Sequence, residues 1–303
     1  MKKNPVIIVL ATAVALGAIF FIVLYLASLL ISGKTSRTIR PLPGGDRVAL
    51  IKVEGVIIAS ERIVDEINDY AEDSSVKAIV LRIDSPGGGV VASQEIYNAL
   101  MNAKKEGKKK IVASMGSVAA SGGYYIAAAA DKIVANPGTL TGSIGVKMEY
   151  PNLEKLLEKI GVKEIVVKSG EYKDVGSPFR NISERERKLL QDVIDDVQSQ
   201  FVEAVATGRS MSLAEVRAIA DGRIFTGRQA LELKLVDQMG DLTASIQLAG
   251  ELAGIKGKPR VTGREKKLQF FDYFKEETAS WVAGVIKESF GKSQVQLQYL
   301  YRQ

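Results

Sequence analysis

Apolar residues recur along this chain with two periods, and the switching between them outlines an α/β protein. VALIKVEGVI (48–57), VKAIVLRID (76–84) and KKIVASM (109–115) are short runs rich in branched residues and bounded by turn signals, which predicts strands. Between the first two, SERIVDEINDYAED (60–73) spaces its apolar residues three and four apart behind Ser60, a residue suited to cap a helix. A second helix is predicted from about Val90 to Lys105. Strand–helix–strand repetition of this kind implies parallel pairing and an α/β core. A second block follows, with short strands and turns over 132–146, a helix over 152–161 and a strand at KEIVVKSG (163–170). Ser183 with Glu186 forms a capping box that opens a long helix to about Thr207, and Ser212 with Glu215 repeats the signal.

The two ends of the chain depart from this pattern. Val6 to Ile31 is a run of 26 residues without a charge, preceded by Lys2 and Lys3. As a helix it would span about 39 Å, enough to cross a hydrocarbon core of roughly 30 Å. The apolar region of a secretory signal is shorter, about 7–15 residues, so an uncleaved transmembrane anchor is expected. Lys34, Arg37 and Arg40 flank the far side of the run, and charge alone leaves its orientation open. The expected organisation is a cytoplasmic tip and anchor (1–32), a Gly/Pro-containing linker (33–46), a domain (47–262) and a C-terminal segment (263–303). That last segment contains QFFDYFKEETASWVAGVIKESF, whose helical spacing suits core packing, an oligomer contact or a membrane surface.

Charge changes the picture little. The net charge is +6, but residues 1–40 carry five Lys/Arg and no acids, so the remainder is nearly neutral. That body has no electrostatic footprint for nucleic acid, and KKEGKKK (104–110) reads as a solvated helix end and turn. Composition matters more, because the 303 residues contain no histidine and no cysteine. A Ser-His-Asp triad, a thiol nucleophile and a zinc site built from His and Cys are all excluded. The lack of cysteine is compatible with an oxidising exterior without requiring one.

Two segments carry candidate chemistry. SPGGGV (85–90) joins a strand to a helix through three consecutive glycines, which let backbone N–H groups approach a ligand closely. It matches neither the P-loop nor the dinucleotide fingerprint, and by itself a tight turn explains it better than an oxyanion site does. Ser121 stands between Ala119-Ala120 and Gly122-Gly123 at the mouth of an Ala-rich helix. Small neighbours allow a strained, accessible nucleophile turn, with the Gly122 N–H as one oxyanion donor. A plain helix cap is the competing explanation. A nucleophilic Ser121 needs a base, and without histidine the options are Lys, Asp, Glu or Tyr. Lys168 and Lys173, in VVKSGEYKDVGSP, follow an apolar strand pattern, and the residues themselves do not choose between them.

In this order, SPGGGVVAS, VAASGGYYIAAAADKIVANPGTLTGSIGV, KSGEYKDVGSPFR and DGRIFTGRQALELKLVDQMGD resemble the signal peptide peptidase A family over roughly residues 47–250. The resemblance implies a Clp-protease/crotonase-like ββα superhelix behind one N-terminal transmembrane helix. It implies a Ser–Lys dyad in which Ser121 is the nucleophile, Lys173 the general base and Ser143 the residue that orients the lysine. Gly88 and Gly122 align with the oxyanion donors. The chain resembles the family's short form, with both dyad members in one domain and subunits assembled as a homo-oligomeric ring. It implies a single-pass membrane protein with its catalytic domain on the extracytoplasmic side, acting on cleaved signal peptides, with membrane lipid met only through the anchor. No metal, nucleotide or other cofactor is expected. Three rivals share the fold: an NfeD-linked Ser–Lys peptidase that cleaves one membrane partner, a non-catalytic membrane scaffold, and an acyl-CoA enzyme of crotonase type. One departure is Lys234, in ALELKLVD, where relatives usually have Gly at a helix end.

Overall fold

The structure, a computed structural model, describes residues 45–105 and 109–264 together with the backbone of 298–300. The anchor expected at 6–31, the linker up to residue 44 and the helical pattern of the C-terminal segment lie outside those residues. Among the described residues no helix is long and apolar enough to cross a membrane.

The chain begins with β1 (Arg47–Glu54), α1 (Glu61–Glu72) and β2 (Val76–Ser85). After Pro86 a three-residue strand, β3 (Gly87–Gly89), runs directly into α2 (Val90–Lys105). β4 (Lys110–Ala120) leads through Ser121 into the short α3 (Gly122–Ala127), followed by β5 (Lys132–Ala135) and β6 (Leu140–Gly142). The second half holds α4 (Glu154–Lys159), the long α5 (Glu184–Arg209), α6 (Leu213–Arg217), β7 (Ile224–Thr226), α7 (Gly227–Glu232) and β8 (Gln238–Met239). α8 (Leu242–Leu252), β9 (Arg260–Thr262) and β10 (Gln298–Leu300) complete the order.

The main sheet runs β7-β6-β4-β2-β1-β9, parallel throughout except for the antiparallel β6–β7 pair. β4 serves two neighbours on one side: Val112–Ser114 pair with β5, and Val118–Ala120 pair with β6. β5 in turn pairs with β8. Parallel strands covered on both faces read as near-continuous apolar runs, as VKAIVLRID does. One face, with Ile51, Ile79, Leu81 and Ile111, packs into a large core that includes residues of α1, α2, α3 and α5. The other face is smaller: Val48, Ala78, Val80, Val112 and Val134 are covered by α8 through Ala249 and its neighbours.

Three expectations need correction or refinement. Ser60 precedes α1 as expected but makes no side-chain cap; its hydroxyl donates to the Glu95 carboxylate instead. The capping boxes at Ser183 and Ser212 both form, and Thr226 with Gln229 makes a third. The strand expected at 163–170 does not form. Its apolar residues have no strand alongside among the described residues, and Ile165 and Val167 are 85 % and 96 % exposed.

Candidate active site

Three parallel strand ends bring the candidate groups together. Ser85, at the end of β2, is opposite Ala119 of β4, and Ala120 is opposite Gly142 of β6. The residues that follow these partners, the GGG strand, Ser121 and Ser143, therefore emerge side by side at one edge of the sheet. In open α/β sheets, ligand sites lie at such carboxyl ends of the strands.

Ser121 occupies the turn between β4 and α3 with φ 54° and ψ −118°. A non-glycine residue held there stores on the order of 1–3 kcal/mol of strain, which persists only where the surroundings over-determine it. Here they do: the Ser121 N–H donates to Gly142 O at 2.8 Å, and its C=O accepts from Tyr125 N at 2.8 Å. The small neighbours are needed, since a Cβ on Gly123 would stand 3.0 Å from Ser85 O. The Ser121 side chain is buried, and its Oγ has no hydrogen-bond partner among the described residues. A buried hydroxyl left unbonded costs about 1–3 kcal/mol, so an unused one at a strained turn asks for a function. The capping alternative for Ser121 is not realised, because the side chain caps nothing.

The glycine strand lies against α3, with Ile57 along one edge and β10 along the other, where Tyr299 stands opposite Gly88. The Ile57 N–H donates to Gly87 O at 2.9 Å, and Ile57 O accepts from Gly89 N at 2.7 Å. Successive strand residues point their polar groups to opposite sides, so Gly88 N–H and C=O face away from Ile57. Only glycine fits, because a Cβ on Gly88 would lie 2.1 Å from Ile57 O. Gly122 is the first residue of α3, where helix N–H groups lack intrahelical acceptors. Ser143 also has positive φ, 50°, is buried, and donates its N–H to Arg223 O at 2.8 Å.

Neither candidate lysine is hydrogen-bonded to Ser121 Oγ. Residues 151–183 contain a single buried residue, Pro178, and α4 buries none. Lys173 is exposed in this arm; its N–H donates to Gly170 O at 3.2 Å, and no partner of its ammonium is found among the described residues. Lys168 is occupied, with its Nζ 2.7 Å from Asp174 Oδ1 and 2.9 Å from Glu171 O. Asp174 and Glu186 are clamped by Arg180, whose Nε donates to Asp174 Oδ2 and Nη1 to Glu186 Oε2, both at 2.9 Å. The Arg180 bonds, with help from Lys168, hold the Asp174 carboxyl well below its usual range. Arg180, with the Ser183 backbone, lowers Glu186 to about 2. The clamp was not foreseen, although Asp174 and Arg180 both stand in the quoted KSGEYKDVGSPFR segment. Thus the structure gathers Ser121, Ser143, Gly88 and Gly122, while Lys173 makes no hydrogen bond to Ser121.

The match to known proteins spans both parts. The model of peptidase family S49 matches residues 103–256, half of the chain and the part that contains Ser121, Ser143 and Lys173. This chain belongs to peptidase family S49. The Clp protease model matches residues 54–139, including the GGG strand and Ser121. A Synechocystis protein described as a protease is 49 % identical over 210 residues, which is 69 % of this chain and 75 % of that one. An Enterococcus faecium protein carrying the name signal peptide peptidase SppA is 38 % identical, over 68 % of this chain and 63 % of its own. Protease 4 of Haemophilus influenzae is 32 % identical over 83 % of this chain but only 41 % of its own length. The S49 chain is thus a serine endopeptidase of signal-peptide-peptidase-A type, with a Clp-protease-like α/β domain.

Proposed function

We propose that the S49 chain hydrolyses peptide bonds in cleaved signal peptides and similar unfolded apolar segments by a Ser–Lys dyad. The observation that carries this reading is the Ser121 hydroxyl, buried and without a hydrogen-bond partner among the described residues, on a positive-φ turn beside the glycine strand. Ser121 Oγ attacks the substrate carbonyl and passes its proton to Lys173, which then protonates the leaving amine. Gly88 and Gly122 N–H groups hold the oxyanion, Ser143 orients the lysine, and water releases the acyl-enzyme. An apolar groove of about 790 Å3 starts at Gly89 and is lined by Ile58, Val91, Met148 and Val197, a surface suited to apolar side chains.

In this reading Lys173 reaches Ser121 across a contact between copies of the chain. The arm that carries it exposes Leu156, Ile160, Ile165 and Val167, an apolar stretch unusual for a free surface. A ring of subunits would cover that stretch and complete the site from two chains. The uncharged run at 6–31 would anchor the ring in a membrane, with the peptidase domain on the extracytoplasmic side.

The test is digestion of a synthetic signal peptide by wild-type and Ser121→Ala protein, with products read by mass spectrometry. Cleavage that disappears with Ser121 is expected; equal cleavage by both proteins would refute the assignment. Labelling of Ser121 by a fluorophosphonate separates the peptidase from a silent scaffold of the same fold.

A further inference from the structure

One face of the main sheet is covered over only half its length. α8 lies across Val48, Leu50, Ala78, Val80 and Val112, toward the amino ends of β1, β2 and β4. Two residues further along each strand the same face changes character. Lys52 and Glu54 follow on β1 and Arg82 and Asp84 on β2; Arg82 is half-buried and the other three are exposed. β4 continues the face with Ser114 and Gly116, so the charge is confined to β1 and β2. Parallel sheets ordinarily have both faces covered, so a bare half-face asks for a cover. The register makes its chemistry specific. Lys52 is paired with Arg82 and Glu54 with Asp84, which puts like charges side by side. Adjacent strands are only about 4.8 Å apart, and each such pair is repulsive. None of the four side chains is in an ion pair among the described residues. Arg82 Nη1 donates to Met115 O at 2.9 Å, and Asp84 Oδ1 accepts from Val118 N at 3.1 Å, so the inner pair is fixed in place. The result is a basic row beside an acidic row, about 6.6 Å apart along the strands.

We propose that a second copy of this chain covers the half-face, in a two-fold contact whose axis lies between the two rows and parallel to them. Two-fold contacts use the same patch on both copies, so the patch must complement itself. This one does. Rotation about that axis sets Lys52 of one copy against Glu54 of the other and Arg82 against Asp84, and the reverse pairs form at the same time. The strands of the two copies then run antiparallel across the contact. An axis parallel to the strands would lay basic row on basic row, so the charges select one arrangement. Each row relieves the repulsion within the other, which no residue described in the same chain does. The contact uses none of Ser121, Ser143, Lys173 or the exposed arm, and it stands independently of the proposed dyad.

Sedimentation velocity of the full chain in detergent at low salt tests this, with Lys52→Glu and Glu54→Lys as separate variants. Both side chains are exposed, so the fold should be retained in each. In either variant like charges meet across the axis twice, and association should weaken at least about tenfold, read as slower sedimentation than the wild type. An equimolar mixture of the two variants should recover the wild-type value, because the acidic β1 of one copy then faces the basic β1 of the other. High salt should slow the wild type towards the single variants. The proposal is overturned if both variants sediment as the wild type does, which is the outcome expected if residues 265–297 of the same chain cover the half-face. It is also overturned if each variant is slower alone and the mixture stays slow, since the charges would then not be facing one another.

Discussion

The segment that holds Ser121 and the segment that holds Lys173 are built by different physics. Around Ser121 nearly every residue from Ile111 to Ala130 is buried, and the backbone of the turn is tied on both sides. Around Lys173 the chain is exposed for some thirty residues, and its shape is held by the charge network of Arg180, Asp174, Lys168 and Glu186. A nucleophile must be held within a few tenths of an ångström of its target, and packing supplies that rigidity. In the proposed dyad, a base supplied from an exposed arm would separate folding of the chain from activation of the site. A lone subunit would then hold a poised serine without the group that deprotonates it.

The largest expected effects come from removing either half. Ser121→Ala and Lys173→Met should each lower peptide hydrolysis by at least about 10³-fold, the scale seen when one member of a catalytic unit is lost. Thermal unfolding should be unchanged for Lys173→Met, whose side chain is exposed. Mixing the two inactive variants under conditions that exchange subunits is the sharpest check on the comparison. Recovered activity is expected, because an intact Ser121 from one chain can meet an intact Lys173 from another. No recovery, with exchange shown independently, would place both groups of each site in one chain.

Next in size is the apolar arm. Charging it by Ile165→Asp with Val167→Asp should weaken assembly, read by sedimentation, and lower activity about 10- to 100-fold. The isolated fold should survive, since both side chains are already in water. Full activity from a dissociated variant would break the proposed division between the two segments.

Much of the packed half was legible in the sequence, and much of the arm was not. Strands β1, β2 and β4 follow from their branched, apolar runs, and the capping boxes at Ser183 and Ser212 follow from a local hydrogen-bond pattern. Ser60 misled because its hydroxyl found Glu95, 35 positions away, which no local rule contains. KEIVVKSG misled for a related reason: period two reports that a segment can be a strand, while a strand also needs a neighbour. Of the site, Ser121 and its glycines were visible as small residues at a strand–helix junction. The choice of Lys173 over Lys168 needed family resemblance, and the structure adds a physical distinction, since Lys168 is spent on Asp174.

A smaller effect is expected from the clamp that shapes the arm. Arg180→Met should lower kcat about tenfold by loosening the Lys173 loop, with little change in KM and none in core stability. The same clamp predicts a pH dependence. The folded-state value of Glu186 is depressed from 4.5 to about 2 by Arg180. Its stabilisation is therefore complete above about 4.5 and is lost as pH falls towards about 2. Pepsin should nick the arm progressively across that window while the core resists, and Arg180→Met should be nicked throughout it. A wild-type arm that resists at pH 2 as well as the core does would show that the clamp is not what holds it.

The smallest effect tests strain inside the packed half. Lys234 has φ 60°, the left-handed conformation suspected from its place in ALELKLVD. Like Ser121 it is a non-glycine residue on the wrong side of the map, but it is exposed and takes no part in the proposed chemistry. Lys234→Gly relieves about 1 kcal/mol of steric strain. It also frees the unfolded chain, at a cost of roughly 0.5 kcal/mol. A net gain of about 0.5 kcal/mol is expected, read as a rise in the urea midpoint at unchanged slope. Activity should not move. Ser121→Gly should gain more, because it also removes a buried unbonded hydroxyl, and should be inactive. A Ser121→Gly variant no more stable than Lys234→Gly would mean that the serine turn carries no excess strain, and that the packed half poises its nucleophile by burial alone.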